Sequence, residues 1–256
     1  MIKEWIRKLV KQSAAQDMGA SLAELAPDQR FYAVGDIHGR LDLLQALLPR
    51  LDRRYPLVFV GDYIDRGEYS AQVLHHLKHL SEDTNRQVVC LLGNHEEMLL
   101  KFVDDPKRMG RLWLQNGGLQ TLASFGLGNV TEAVIGKDAV EVAGRLRARI
   151  GDRVLDWLRG LPLTWSSGNV TVVHAALDPA FPLDDQPRQV CLWGHPRFRL
   201  DRRTDDQWVV HGHTIVSEPR IKHKIVSIDT GAFATGRLTA AEISAGEIRF
   251  ISADQK

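Results

Sequence analysis

The sequence predicts an α/β fold built from parallel βαβ units, on three observations. Short apolar runs at residues 31–34, 57–60 and 87–92 are separated by segments with helical periodicity. Each run ends in glycine followed by a polar residue: Gly35-Asp36, Gly61-Asp62 and Gly93-Asn94. The chain has 256 residues, 44% hydrophobic and 25% charged, enough apolar material for one full core.

Taken in order, residues 1–11 place Ile2, Trp5, Ile6, Leu9 and Val10 opposite Lys3, Arg7, Lys8 and Lys11, an amphipathic helix. It either docks on the domain or touches a membrane surface or a partner. A polar linker carries it to Pro27, so residues 1–27 form an extension and 28–256 the main domain. Residues 41–48 follow the first strand as a helix. Val73, Leu74, Leu77 and Leu80 mark the inner face of the next. Residues 96–165 read as mostly helical, punctuated by Asn116-Gly117-Gly118 and Pro162. Apolar runs return at 170–173, 208–211, 225–228, 238–243 and 247–251, and their spacing suggests a second, partly antiparallel sheet.

Lys and Arg number 33 against 32 Asp and Glu, so no bulk field draws the chain to nucleic acid. Cys90 and Cys191 lie in apolar stretches and are expected as small buried hydrophobes, which fits a reducing, cytoplasmic setting. No apolar stretch has the length of a membrane span.

The chemistry gathers at strand ends, where α/β sheets bind ligands. Asp36 and His38 lie two apart and share one side of an extended segment. Asp62 ends the second run, and Asn94 and His95 end the third. His174 follows the apolar run 171–173, and His211-Gly212-His213 follows 208–210. Such an oxygen and nitrogen donor set suits Mn²⁺, Fe or Zn²⁺. A carboxylate shared between two donor groups would hold two metals about 3.5–4 Å apart, the arrangement that drives displacement at phosphorus. His75 and His79, four apart on a helix, are expected on a solvated face.

Gly35-Asp36-Ile37-His38-Gly39, Gly61-Asp62-Tyr63-Ile64-Asp65-Arg66-Gly67 and Gly93-Asn94-His95-Glu96 resemble the signature blocks of the phosphoprotein phosphatases, calcineurin-like metallophosphoesterases. Val173-His174-Ala175 and Gly212-His213-Thr214 resemble that family's remaining metal-histidine blocks. Residues 113–118 and Ile228-Asp229-Thr230-Gly231 are similar to bacterial members. The resemblance implies two facing mixed sheets flanked by helices. It also implies two divalent metals, Mn²⁺ first among them: Asp36, His38 and Asp62 on one, and Asp62, Asn94, His174 and His213 on the other. Arg66 and Asn94 would contact phosphate, water activated by the metals would attack in line, and His95, oriented by Asp65, would protonate the leaving group. The expected substrate is a phosphoserine- or phosphothreonine-bearing protein or peptide. The alternatives are a dinucleoside tetraphosphate hydrolase of the same superfamily, against which Asp65 and Glu96 are taken to argue, and an inactive phosphate-binding protein.

The chain departs from this pattern in places. Ala176 stands where a glycine is frequent, and Phe233 where bacterial relatives often have tyrosine. A second phosphate-binding arginine is usual in a Trp-Ile-Arg segment, but this chain reads Trp193-Gly194-His195-Pro196-Arg197. If that segment is extended, Arg197 shares a side with His195, so Arg197 is expected to take the phosphate role with His195 as its competitor. His211 is expected to support His213 from behind.

Overall fold

The computed structural model describes residues 24–134, 136–201 and 203–255. The amphipathic segment at residues 1–11 lies outside them. Two five-stranded mixed sheets pack face to face. The first has the order β10-β9-β1-β2-β3, from β1 (Phe31–Val34), β2 (Leu57–Phe59), β3 (Val88–Cys90), β9 (Arg237–Ser244) and β10 (Glu247–Asp254). The second has the order β4-β5-β6-β8-β7, from β4 (Thr164–Ser167), β5 (Val170–Val173), β6 (Trp208–His211), β7 (Arg220–Lys222) and β8 (Ile225–Ser227).

Strand alternation sorts the core. Phe31 and Ala33 of β1 face the second sheet, where they join Val58, Val172, Val210, Val226 and Ile243 in an apolar layer. Tyr32 and Val34 face the other way, into a larger cluster with the helices. Those helices are α1 (Leu41–Leu47), α2 (Ser70–Ser81), α3 (Asn94–Asp104), α4 (Pro106–Trp113), α5 (Leu119–Ser124), α6 (Gly136–Ile150) and α7 (Asp152–Arg159). A third, smaller cluster covers the outer face of the second sheet. There Val173 and Val209 meet Cys191, which lies on α8 (Arg188–Trp193), and Phe198. Cys90 and Cys191 are both free and buried.

β1, β2 and β3 pair in parallel, β5 with β6 and β6 with β8 do the same, and so the carboxyl ends of both sheets open on one edge. The structure differs from the expected layout at its end. The hairpin β9–β10 does not join the second sheet: β9 pairs antiparallel with β1, Phe31 opposite Ile243. β1 thereby sits in the middle of its sheet, which is why all four of its residues are buried. No helix among the described residues is long and apolar enough to cross a membrane.

Candidate active site

The loop after β1 carries Asp36 and His38, and the loop after β2 carries Asp62, Asp65 and Arg66. The two loops are laced together: the N–H groups of Ile37 and His38 both donate to the Asp62 carbonyl, at 3.0 and 2.9 Å. His38, Asp62, Asp65, Arg66 and His213 all have positive φ, between 44° and 70°. Such backbone costs about 1–3 kcal/mol per residue and collects at functional sites. Glu96 offsets part of that cost. Its buried carboxylate accepts from the N–H of Asp62 at 2.9 Å, Tyr63 at 2.8 Å and Gly93 at 3.1 Å, clamping the turn.

His38, Asp62 and His95 bring one donor atom each within 4.8 Å of one another, and Asp62, His174 and His213 do likewise. Asp62 is common to both groups. Burial alone would raise its pKa, but the rings of His174, His95, His38 and His213 outweigh that and hold it below the usual range. Asp36 sits beside them, its carboxylate accepting from the His213 N–H at 3.1 and 3.0 Å. A Cβ on Gly212 would lie 2.0 Å from Asp36 Oδ1, so only glycine admits the carboxylate there.

Tautomers follow from the outer hydrogen bonds. His38 Nδ1 lies 2.7 Å from the Ile64 carbonyl and His174 Nδ1 3.1 Å from that of Val60, so each Nδ1–H donates and each Nε2 turns a lone pair inward. Burial lowers the pKa of His38 to about 3 and of His174 to about 4, keeping both rings neutral. His174 Nε2 then lies 2.9 Å from Asn94 Oδ1 and 3.4 Å from Asp62 Oδ1, an acceptor facing acceptors. His213 Nδ1 joins the same point, 3.0 Å from Asn94 Oδ1 and 3.2 Å from His174 Nε2. Crowding acceptors in a buried place is costly, and a cation between them would offset that cost. The donor set fits a divalent metal on the His174 side. On the other side, burial and the neighbouring Asp229 and Asp62 raise the pKa of Asp36, a crowding of carboxylates that a second cation would relieve.

His95 Nδ1 is 2.7 Å from Asp65 Oδ2. Burial disfavours its charged form, yet Asp62 and Asp65 together hold its pKa above the ordinary value. Asp65 is itself fixed by the Trp113 indole at 3.0 Å and the Thr121 hydroxyl at 2.6 Å. Arg66 reaches into the site, its guanidinium nitrogens 3.2 Å from His38 Nε2 and 3.2 Å from His95 Nε2, and its plane 4.7 Å from the Phe233 ring centre.

The structure gathers Asp36, His38, Asp62, Asp65, Arg66, Asn94, His95, His174 and His213 at one place. It does not bring Arg197 there. Arg197 is 67% exposed and pairs with Asp201 at 2.5 Å. Residues 196–200 form a turn, with the Phe198 N–H donating to the His195 carbonyl, so the alternation of an extended segment does not apply. In a turn the residue four positions from His195 comes round to its side, and that residue is Arg199. His195 and Arg199 both line a cavity that also includes His213. His211 is buried behind the site, its Nε2 2.8 Å from the Ser227 hydroxyl. His75 and His79 are exposed on α2.

Asp229, Trp113 and Thr121 carry parts of the site that the motif blocks do not assign. Asp229 ends the apolar run at β8 just as Asp36 ends β1, so the same strand-end rule could have found it. Burial raises its pKa to about 6.

Fold and site together define a metallophosphoesterase, a hydrolase. The chain belongs to the calcineurin-like phosphoesterase family, whose profile matches residues 29–217. It is similar to the bis(5'-nucleosyl)-tetraphosphatase PrpE [asymmetrical] of Halalkalibacterium halodurans, 27% identical over 87% of this chain and 93% of that protein. It is also similar to the symmetrical bis(5'-nucleosyl)-tetraphosphatase of Ralstonia nicotianae, 26% identical over 83% of this chain and 89% of that one. A crystal structure assigned as a candidate diadenosine tetraphosphatase has the same fold, with a TM-score of 0.61, 22% identity, and coverage of 90% of this chain and 96% of that chain.

These relatives overturn the expected serine/threonine protein phosphatase activity and with it the phosphoprotein or phosphopeptide substrate. Asp65 and Glu96 do not argue against a dinucleoside tetraphosphate substrate: Glu96 holds a loop whatever group leaves, and Asp65 orients an imidazole that can face a departing phosphate as well as an alkoxide.

Proposed function

We propose that the protein hydrolyses dinucleoside tetraphosphates with two divalent metals, one water splitting a phosphoanhydride P–O bond to give two nucleotides. The observation that carries this substrate is the likeness, along nearly the whole chain, to relatives named for it. In this reading Asp36, His38 and Asp62 hold one metal, Asp62, Asn94, His174 and His213 the other. The mixed nitrogen and oxygen donors support Mn²⁺, with Fe and Zn²⁺ also suited. Bound there, the metals would supply Lewis acidity to the reacting phosphoryl group and acidify the attacking water. Arg66 pairs with phosphate oxygens as charge shifts onto them. His95, charged through Asp65, holds a proton at Nε2 toward the departing oxygen. The two free, buried cysteines support a reducing compartment such as the cytoplasm.

The test is a comparison of kcat/KM, with Mn²⁺ supplied, for diadenosine tetraphosphate and for a panel of phosphopeptides. We expect the dinucleotide to be preferred by about 100-fold or more, the discrimination that paired polar contacts give. Faster turnover of any phosphopeptide would overturn the proposal.

A further inference from the structure

The cavity beside His213 has a volume of about 520 Å³ and is not filled by any group assigned so far. One wall is Ala175 and Ala176, directly after His174, with His213 and Thr214. The other is formed by residues 193–196 and 198–200. Its size lies in the range of small-ligand sites.

Three features of its lining ask for a ligand of definite chemistry. Arg199 pairs with no carboxylate among the described residues, while burial and the like charge of Arg220 both disfavour its cation. His195 Nδ1 is buried without a hydrogen-bond partner. Trp193 is held rigid, since its indole N–H donates to Glu97 at 3.1 Å, and Glu97 also receives Arg188 at 3.0 Å. An unpaired guanidinium, an unsatisfied ring nitrogen and a fixed aromatic wall match an anionic group joined to a heteroaromatic ring.

We infer that this cavity is the subsite for one nucleotide of the substrate, Arg199 meeting a phosphate beyond the reacting one and His195 and Trp193 meeting the nucleoside. The inference rests on the dinucleotide reading above. Arg66 stands on the His38 and His95 side of the site and Arg199 on the His213 side, so a polyphosphate crossing the site meets a cation at each end. A simple monoester reaches only the first.

The experiment compares Arg199→Ala, Arg199→Lys and His195→Ala with the wild type, using diadenosine tetraphosphate and p-nitrophenyl phosphate. In Arg199→Ala the ratio of kcat/KM between the two substrates should fall about 10- to 100-fold, the worth of one charged hydrogen bond, mostly through KM. Arg199→Lys should recover part of it, and His195→Ala should lose less. A ratio unchanged within twofold would overturn the inference. ADP inhibition of p-nitrophenyl phosphate hydrolysis separates it from the function itself. If the wild type ignores diadenosine tetraphosphate, the proposed reaction fails. The cavity inference then stands if ADP inhibits the wild type about tenfold or more better than Arg199→Ala, and falls if it does not.

Discussion

At His95 the chemistry of the leaving group can be read directly. A phosphate leaves as a weak base, whereas an alkoxide is a strong one and needs a proton as it departs. His95→Asn should therefore cost about 10²–10⁴-fold on an alkyl phosphate ester and clearly less on diadenosine tetraphosphate. Steady-state kinetics on the two substrates check this, and equal losses would make His95 a scaffold residue. The proposed metal ligands were legible because each ends or closely follows an apolar run, and a strand end fixes where the next side chain goes; Asp65 and Arg66 were legible only through the resemblance of their motif block. Arg199 was not legible, since its position depends on residues 196–200 turning rather than extending. Its signal, a spacing of four from His195, has meaning only once that turn is known.

Among the elements, the junction of α4 and α5 sets the position of Arg66. Asn116 and Gly117 break the helical backbone between them, Gly117 with φ of 104°. The Gly117 carbonyl accepts the Arg66 N–H at 3.2 Å, and a Cβ on Gly117 would lie 2.7 Å from that nitrogen. Gly117→Ala should lower kcat/KM by up to about 100-fold, the cost of a small misplacement of a catalytic group. Gly144→Ala is the control: its Cβ meets nothing within 4 Å, and alanine in a helix should leave activity alone and add up to about 1 kcal/mol of stability. Thermal melts and kinetics on both variants decide the point. The helices and the central strands were legible from periodicity. β4 and β7 were not, because Trp165 is the single apolar residue of Thr164–Ser167 and all of Arg220–Lys222 is exposed, so neither shows an apolar run.

For the molecule as a whole, the site is a seam. Asp36, His38, Asp62 and Asn94 come from the first sheet, and His174 and His213 from the second. Metals held as proposed would tie the two sheets together and cancel the repulsion among Asp36, Asp62 and Asp229. Chelation should lower the melting temperature by about 5–10 °C, and added Mn²⁺ should restore it, as scanning calorimetry would show. An unchanged melting temperature on chelation would mean that the seam holds without metal. The substrate was the least legible property. The motif blocks encode attack at phosphorus, which many substrates share, while the group attached to that phosphorus meets the walls beyond them.

The position of β1 between β2 and β9 governs how the protein can be made. A ribosome delivers residues 31–34 about two hundred residues before residues 237–244, so between the two β1 has at most one partner and one bare edge. Six of the proposed ligands could already be outside the exit tunnel while the sheet that carries four of them is still open. Nascent chains would then be exposed to aggregation through Phe31 to Val34 until the β9–β10 hairpin emerges. A product ending before Arg237 should be found in inclusion bodies or degraded, even though it contains every side chain assigned to the chemistry.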